Sequence, residues 1–377
     1  MRRNTYIYAQ PRWPEFRWDR VKLATMLASV RHDQGRLSGR MEALGFPLQQ
    51  EAVLQTLTED VVKSSLIEGE TLEVSQVRSS VARRLGLDVG GLLPPDRHVD
   101  GVVEMMLDAT RHYDQPLTAD RLAAWHASLF PTGPPAGRRR TSRIRVGAWR
   151  DDRTGPMQVV SGPMGRERVH FEAPPAASLD REMTRFLAWF NEDGASAGTD
   201  AVMTAALAHL WFVTIHPFDD GNGRIARAIA DLALARSEQS TQRFYSMSAQ
   251  IQQERAAYYA ILEQTQKGSL DITPWMEWFL GCLGRAIGRA QTTLASVLAR
   301  ARFWEALRAV RLNDRQRLVL NRVLDGFEGN LTTSKWAAIA GCSADTALRD
   351  ILELVEHGVL VRNAAGGRST SYALGPS

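Results

Sequence analysis

His216-Pro217-Phe218-Asp219-Asp220-Gly221-Asn222-Gly223-Arg224-Ile225-Ala226-Arg227 is the stretch on which the reading of this chain turns. Before it, residues 200–215 are apolar at helical spacing, with Ala206, Leu210 and Val213 on one face. That helix should stop at His216, because a residue preceding proline disfavours α geometry. Asp220 to Gly223 predicts a tight loop, and a second helix should run from Asn222 or Gly223 to about Arg236. A new helix presents free N–H groups and the positive end of its dipole, and glycines let a ligand approach the backbone. Arg224 and Arg227, three residues apart, share a face in the first turn. Asp220 offers a hard oxygen for Mg²⁺. His216 stands just before the anion site and can accept a proton from a hydroxyl.

Working outward, most of the chain has helical periodicity, in 21–45, 51–67, 74–86, 99–113, 118–130, 178–192, 223–236, 254–266 and 273–310. Two stretches break it. Residues 157–171 predict a β-hairpin about Ser161-Gly162-Pro163-Met164-Gly165, and 358–374 predict another about Gly366-Gly367. Boundaries are expected near 100 and 300, giving a helical region over 1–100, a core over 101–300 and a terminal module over 312–377.

Bulk properties narrow the class. The chain has 377 residues, 44% apolar and 23% charged, which predicts a soluble globular protein of two or three domains. No long uncharged apolar run suggests a membrane span, and the basic start lacks the apolar region of a secretory signal. The two cysteines, Cys282 and Cys342, are too isolated for a zinc site or a disulfide framework, and a reducing cytoplasm is expected. The net charge of +4 is carried mostly by arginine and does not by itself imply nucleic acid.

The 216–227 stretch resembles the signature of the Fic family, HxFx(D/E)GNGRxxR, and matches it throughout. The resemblance covers roughly 100–285. It implies a mainly α protein: a Fic helical core with a β-hairpin flap, beside the helical N-terminal region and the terminal module. It implies transfer of AMP from ATP to a Ser, Thr or Tyr hydroxyl of a protein. His216 would be the general base and Asp220 the Mg²⁺ ligand. Gly221, Asn222, Gly223 and Arg224 would bind the α- and β-phosphates, and Arg227 the γ-phosphate. The kinase-like branch has Lys where Arg224 stands. The flap, about 156–171 with Val169 and His170, would pair with an extended segment of the target. Tyr258-Tyr259-x6-Gln266 resembles the adenine-side segment, making Tyr259 and Gln266 the candidates for base contacts.

Ser64-Ser65-Leu66-Ile67-Glu68-Gly69 fits the family's inhibitory pattern (S/T)xxxE(G/N), at the end of a helix over about 51–69. Glu68 would pair with Arg227 and hold it from the γ-phosphate. The same glutamate, aligning a water, would serve removal of AMP by hydrolysis.

The terminal module has the order of a winged helix-turn-helix, with helices at 334–341 and 343–356 and Ser343 capping the second. DNA binding is weighed against protein contact and not favoured, because seven basic residues over 313–377 are balanced by seven acidic ones. A DNA-binding regulator with a nucleotide-sensing core is thus the rival function, and a homodimer stays open. The basic run Arg138, Arg139, Arg140, Arg143 and Arg145 reads as a solvated loop. His126 reads as a packed core histidine.

Overall fold

A computed structural model describes residues 6–87, 96–131, 144–153, 155–163, 165–193, 199–308, 310–324, 326–327, 329–363 and 370–375. The run from Arg138 to Arg143 and the Gly366-Gly367 turn lie outside them. The fold is mainly helical. After a short 3-10 turn (Ile7–Ala9) come α1 (Arg20–Glu42), α2 (Phe46–Ile67), α3 (Val74–Leu85), α4 (Arg97–Arg111) and α5 (Ala119–Leu129). The hairpin β1 (Gln158–Ser161) and β2 (Arg168–Glu172) follows. Then come α6 (Leu179–Ala188), a π-helical turn (Trp189–Asp193), α7 (Ala201–Ile215), α8 (Asn222–Glu238), α9 (Met247–Gln253), α10 (Arg255–Gln266) and α11 (Thr273–Ala306). The chain closes with α12 (Asp314–Leu324), β3 (Leu331–Thr332), α13 (Thr333–Ala340), α14 (Ala344–Glu356), β4 (Leu360–Arg362) and β5 (Ser371–Leu374).

Two compact units emerge: residues 1–85 with 94–292, and residues 86–93 with 293–377. The helical region expected over 1–100 and the core expected over 101–300 fall mostly within the first of these units. The aromatic arm explains why. Trp13 and Phe16 pack edge-on against Trp211 of α7, and the Trp13 indole donates to Glu182 at 2.9 Å. Arg17 exchanges backbone hydrogen bonds with Leu270 and Ile272, each 2.8 Å. α2 lies against α3, α4, α8 and α9. The N-terminal helices spend their apolar faces on the core instead of building a separate one.

α7 is the central helix of the first unit. Every residue from Val202 to Ile215 is buried, not one face only. A helix apolar all round must be enclosed, and here α6 and α8 flank it while the Trp275 indole donates to Ala206 O at 2.8 Å. The short α9 was not anticipated; at seven residues it falls below the window in which periodicity is visible, although Ser246 caps it through Ala249 N–H.

In the second unit, an antiparallel sheet of order β3-β5-β4 and helices α12 to α14 enclose a core that includes Trp336, Ile351, Leu354 and Tyr372. Ser343 caps α14 through Thr346 N–H, as read from the sequence. The outward face of α14 exposes Leu348 and Leu352 beside Asp345, Glu353 and Glu356.

Candidate active site

α7 ends where its backbone can no longer continue. His216 takes a left-handed conformation, φ 54°, uncommon for a residue with a side chain. Several contacts hold it. Its N–H bonds Phe212 O at 3.0 Å, and Arg150 Nε donates to His216 O at 2.8 Å. Arg150 also bonds Pro217 O through its own backbone N–H, Asp152 through Nη1 and Pro174 O through Nη2. This buried arginine ties the end of α7 to the exit of the hairpin, and local sequence patterns do not reveal it.

The His216 imidazole is positioned through Nδ1, 3.2 Å from Val213 O. A carbonyl only accepts, so Nδ1 carries the proton and Nε2 keeps its lone pair. Burial, with help from Arg150, pushes the His216 pKa down to about 4 against the raising influence of Val213 O, Glu68 and Asp220. The ring is neutral near pH 7, as a base requires.

The loop is closed by Asn222. Its side-chain oxygen accepts from Phe218 N–H at 3.0 Å and its amide donates to Phe218 O at 2.8 Å. The side chain thus shapes the loop, while the backbone N–H stands at the start of α8. Phe218 is fully buried and stacks on His126, whose Nδ1 accepts from Gly147 N–H at 3.0 Å; His126 is the packed core histidine expected. Gly221 has φ 80°, and a Cβ there would lie 3.1 Å from Leu129. The first helical bond of α8 is Ile225 N–H to Gly221 O. The N–H groups of Asn222, Gly223 and Arg224 thus precede the ladder, an arrangement that can take an anion at a helix end.

Both arginines stand on this end with little exposure. Arg227 donates from Nε to Ser64 Oγ at 2.9 Å, and from Nη2 to Ser64 O at 2.8 Å and Glu68 Oε1 at 2.9 Å. Arg224 Nη1 meets Glu70 Oε2 at 2.7 Å. Arg224 Nε and Arg227 Nη1 are buried donors with no protein partner. Unspent cationic donors at a helix N-terminus fit a polyanion. A Cβ at Gly223 would lie 2.1 Å from Glu68 Oε1, so this carboxylate sits directly against the first turn of α8.

Asp220 accepts from Gly221 N–H at 2.7 Å. Among the described residues no group of three or more His, Cys, Asp or Glu converges on a metal position. A single carboxylate beside an anion site fits Mg²⁺ in the mode where phosphate oxygens complete its shell.

α10 supports two other parts of the site. At one end, Arg255 Nε and the Tyr259 hydroxyl donate to Ile67 O at 2.8 and 3.3 Å. At the other, Glu263 gathers Lys267, His170 and Arg168 at 2.6, 2.7 and 3.2 Å, and these partners, Lys267 foremost, bring its pKa down to about 2. The hairpin is thereby moored to α10 through His170, while Val160 and Val169 stay exposed. Of the adenine-side candidates, Tyr259 reaches the turn after α2, and Gln266 is buried against the end of α7, 3.5 Å from Val213 O.

Helical core, hairpin and glycine loop together define the class. Residues 116–234 match the Fic/DOC family model, and residues 6–87 match a domain of unknown function (DUF4172). The chain carries a Fic domain. It is 27% identical over 225 residues to the protein adenylyltransferase Fic of Drosophila ananassae, covering 59% of this chain and 39% of that protein. With the protein of the same name from Nematostella vectensis it shares 25% over 250 residues, covering 64% and 51%. The chain thus spans about two fifths to half the length of these curated relatives. A Fic family protein from Desulfovibrio desulfuricans has the same fold, with TM-score 0.52 and 21% identity over 94% of this chain and 96% of that one. So does a Fic domain containing signaling protein from Bacteroides thetaiotaomicron, at 0.52 and 21% over 71% and 97%. No described helix is long and apolar enough to cross a membrane.

Proposed function

We propose that the chain is a protein adenylyltransferase, moving AMP from ATP to a hydroxyl side chain of a protein, and that Glu68 restrains it. The observation that carries this reading is a neutral imidazole next to the amino end of α8, where two buried arginine donors are unspent. The names of the curated relatives agree with it.

The chemistry follows from these groups. The amides that open α8, with Arg224 and Arg227, would bind the triphosphate and hold the α-phosphorus near His216. The target hydroxyl has a pKa far above 7 and needs a base as it attacks. Its oxygen forms a bond to the α-phosphorus, its proton passes to His216 Nε2, and the bond to pyrophosphate breaks. Asp220 would hold Mg²⁺, which supplies neutralising charge to the phosphates when bound. The hairpin would offer an edge to an extended target segment, and its mooring to Glu263 supports this reading by holding that edge in place.

Glu68 opposes this arrangement in two ways. It takes a donor of Arg227, and its carboxylate lies where a phosphate would meet the helix end. The test is labelled ATP and Mg²⁺ added to a lysate with Glu68→Gly or His216→Ala protein. Bands with the first that vanish when His216→Ala is added to it support the reading; no His216-dependent band overturns it.

A further inference from the structure

The turn that follows α2 carries a second carboxylate, outside the inhibitory pattern. Gly69 has φ 80°. Glu70 N–H bonds Ser65 O and Gly69 N–H bonds Leu66 O, each 3.0 Å. These two bonds close the helix in the Schellman manner. The cap rigidly fixes residues 68 and 70 on either side of the glycine, and both reach α8. Glu68 takes Arg227, while Glu70 Oε2 takes Arg224 Nη1 at 2.7 Å. Arg224 exposes only 3% of its side chain and Glu70 18%, so the pair is far drier than a surface ion pair. The other oxygen of Glu70 lies 2.6 Å from His98 Nε2 on α4, and the Arg224 guanidinium rests over the Phe130 ring at 5.4 Å.

We propose that Glu70 is a second phosphate-competing group, whose carboxylate occupies Arg224 in place of nucleotide phosphate and lowers the affinity for ATP. The proposal rests on reading the start of α8 as an ATP site. A carboxylate and a phosphate dock on guanidinium through the same kind of oxygen, and a nucleotide that keeps both Arg224 and Glu70 brings like charges together. ATP must therefore displace Glu70 or bind beside it against repulsion. The division of labour follows from position: Glu68 governs Arg227 and the orientation of the chain's far phosphate, and Glu70 governs how tightly the nearer phosphates are held. A purely bracing role makes the opposite forecast, because an Arg224 that loses its brace binds phosphate less well.

The experiment is calorimetric titration of the full chain with a non-hydrolysable ATP analogue and Mg²⁺, on wild type, Glu70→Gln, Glu70→Asp, Glu68→Gly and the double variant Glu68→Gly/Glu70→Gln. Glu70→Gln should tighten the analogue by about three- to tenfold, and add a similar factor on top of Glu68→Gly. Glu70→Asp, which withdraws the carboxylate by one methylene, checks the result if the glutamine variant folds poorly and should also tighten binding. Unchanged or weaker binding in the folded variants overturns the proposal. The underlying reading is judged separately, by His216-dependent AMP transfer in Glu68→Gly. Transfer without any effect at Glu70 sinks this proposal alone; tighter binding at Glu70 without transfer leaves the competition standing and sinks the enzymatic assignment.

Discussion

Replacing Glu68 by glycine should make the protein less stable and more active at once. The Glu68 Oε1 to Arg227 Nη2 distance is 2.9 Å, which at an effective dielectric near 20 corresponds to about 6 kcal/mol of attraction before desolvation. Glu68 retains 29% side-chain exposure, so water screens part of this; hydrogen bonds to charged groups are worth about 1.5–3 kcal/mol net. Arg227 keeps Ser64 Oγ and Ser64 O, so it stays in place when the carboxylate leaves, with donors freed toward the ligand. The space against Gly223 opens too. The initial rate of ATP-dependent labelling should rise by about ten- to a hundredfold, the equivalent of that net energy. Without nucleotide the variant should lose about 1–2 kcal/mol in denaturant unfolding, and saturating ATP with Mg²⁺ should restore more stability to it than to wild type. Position 68 has φ −84° and ψ 5°, so glycine introduces no new backbone requirement. Equal labelling rates for two folded proteins would refute the reasoning, because Glu68 is the carboxylate in the argument that competes with phosphate for Arg227.

His216→Ala should lower transfer by about 10²–10⁴-fold while leaving binding of the ATP analogue nearly intact, which titration and single-turnover labelling separate. Arg150→Ala, made in the Glu68→Gly background, should reduce the turnover rate more than ATP affinity, since it frees His216 O and Pro174 O without touching the arginines of α8; equal losses in both would mean it merely unfolds the site. Stability should fall as pH drops from about 6.5 toward 4. Burial brings His126 and His216 down to about 4 and His209 to about 3, so the unfolded chain binds protons in that window and the folded one does not. At about 1.4 kcal/mol per unit for each histidine, the summed loss is of order several kcal/mol, and a flat unfolding midpoint from pH 7 to 5 would contradict it.

Legibility in the sequence tracked the distance over which each feature is decided. The loop from His216 to Arg227 could be read because helix stop, glycine turn, anion-binding end and arginine spacing are all settled within twelve residues. The hairpin, the cap at Ser343 and most helix bounds are equally local. Glu68 was visible because its spacing from Ser64 places both on the same face of α2, and both reach Arg227. The part Asn222 plays in closing its own loop was not legible, because spacing does not show the hydrogen bonds between its side chain and Phe218. Arg150 was missed because its partners are 24 and 66 residues away, and α7 was read as one-faced because the spacing of one apolar face does not show that α6, α8 and Trp275 enclose the others. The packing of the first hundred residues was not legible for the same reason: pattern shows that 1–100 is helical, not which surface its helices cover.

The glutamates on either side of Gly69 show what this difference of scale means for function. The turn is local: one glycine at positive φ and two backbone hydrogen bonds set where residues 68 and 70 lie relative to α2. Its consequence is not local, because the groups it meets are 154 and 159 residues further on. The support is likewise remote, since Arg255 and Tyr259 of α10 secure the last carbonyl of α2. A carboxylate on a freely rotating loop would compete with phosphate only as a weak, screened charge. Mounted on a capped helix that is itself held from behind, it keeps its position without being ordered by the arginine, and the entropy of that ordering does not weaken the competition. On the proposed reading, restraint of the site would depend as much on the backbone geometry of Gly69 as on the charges beside it.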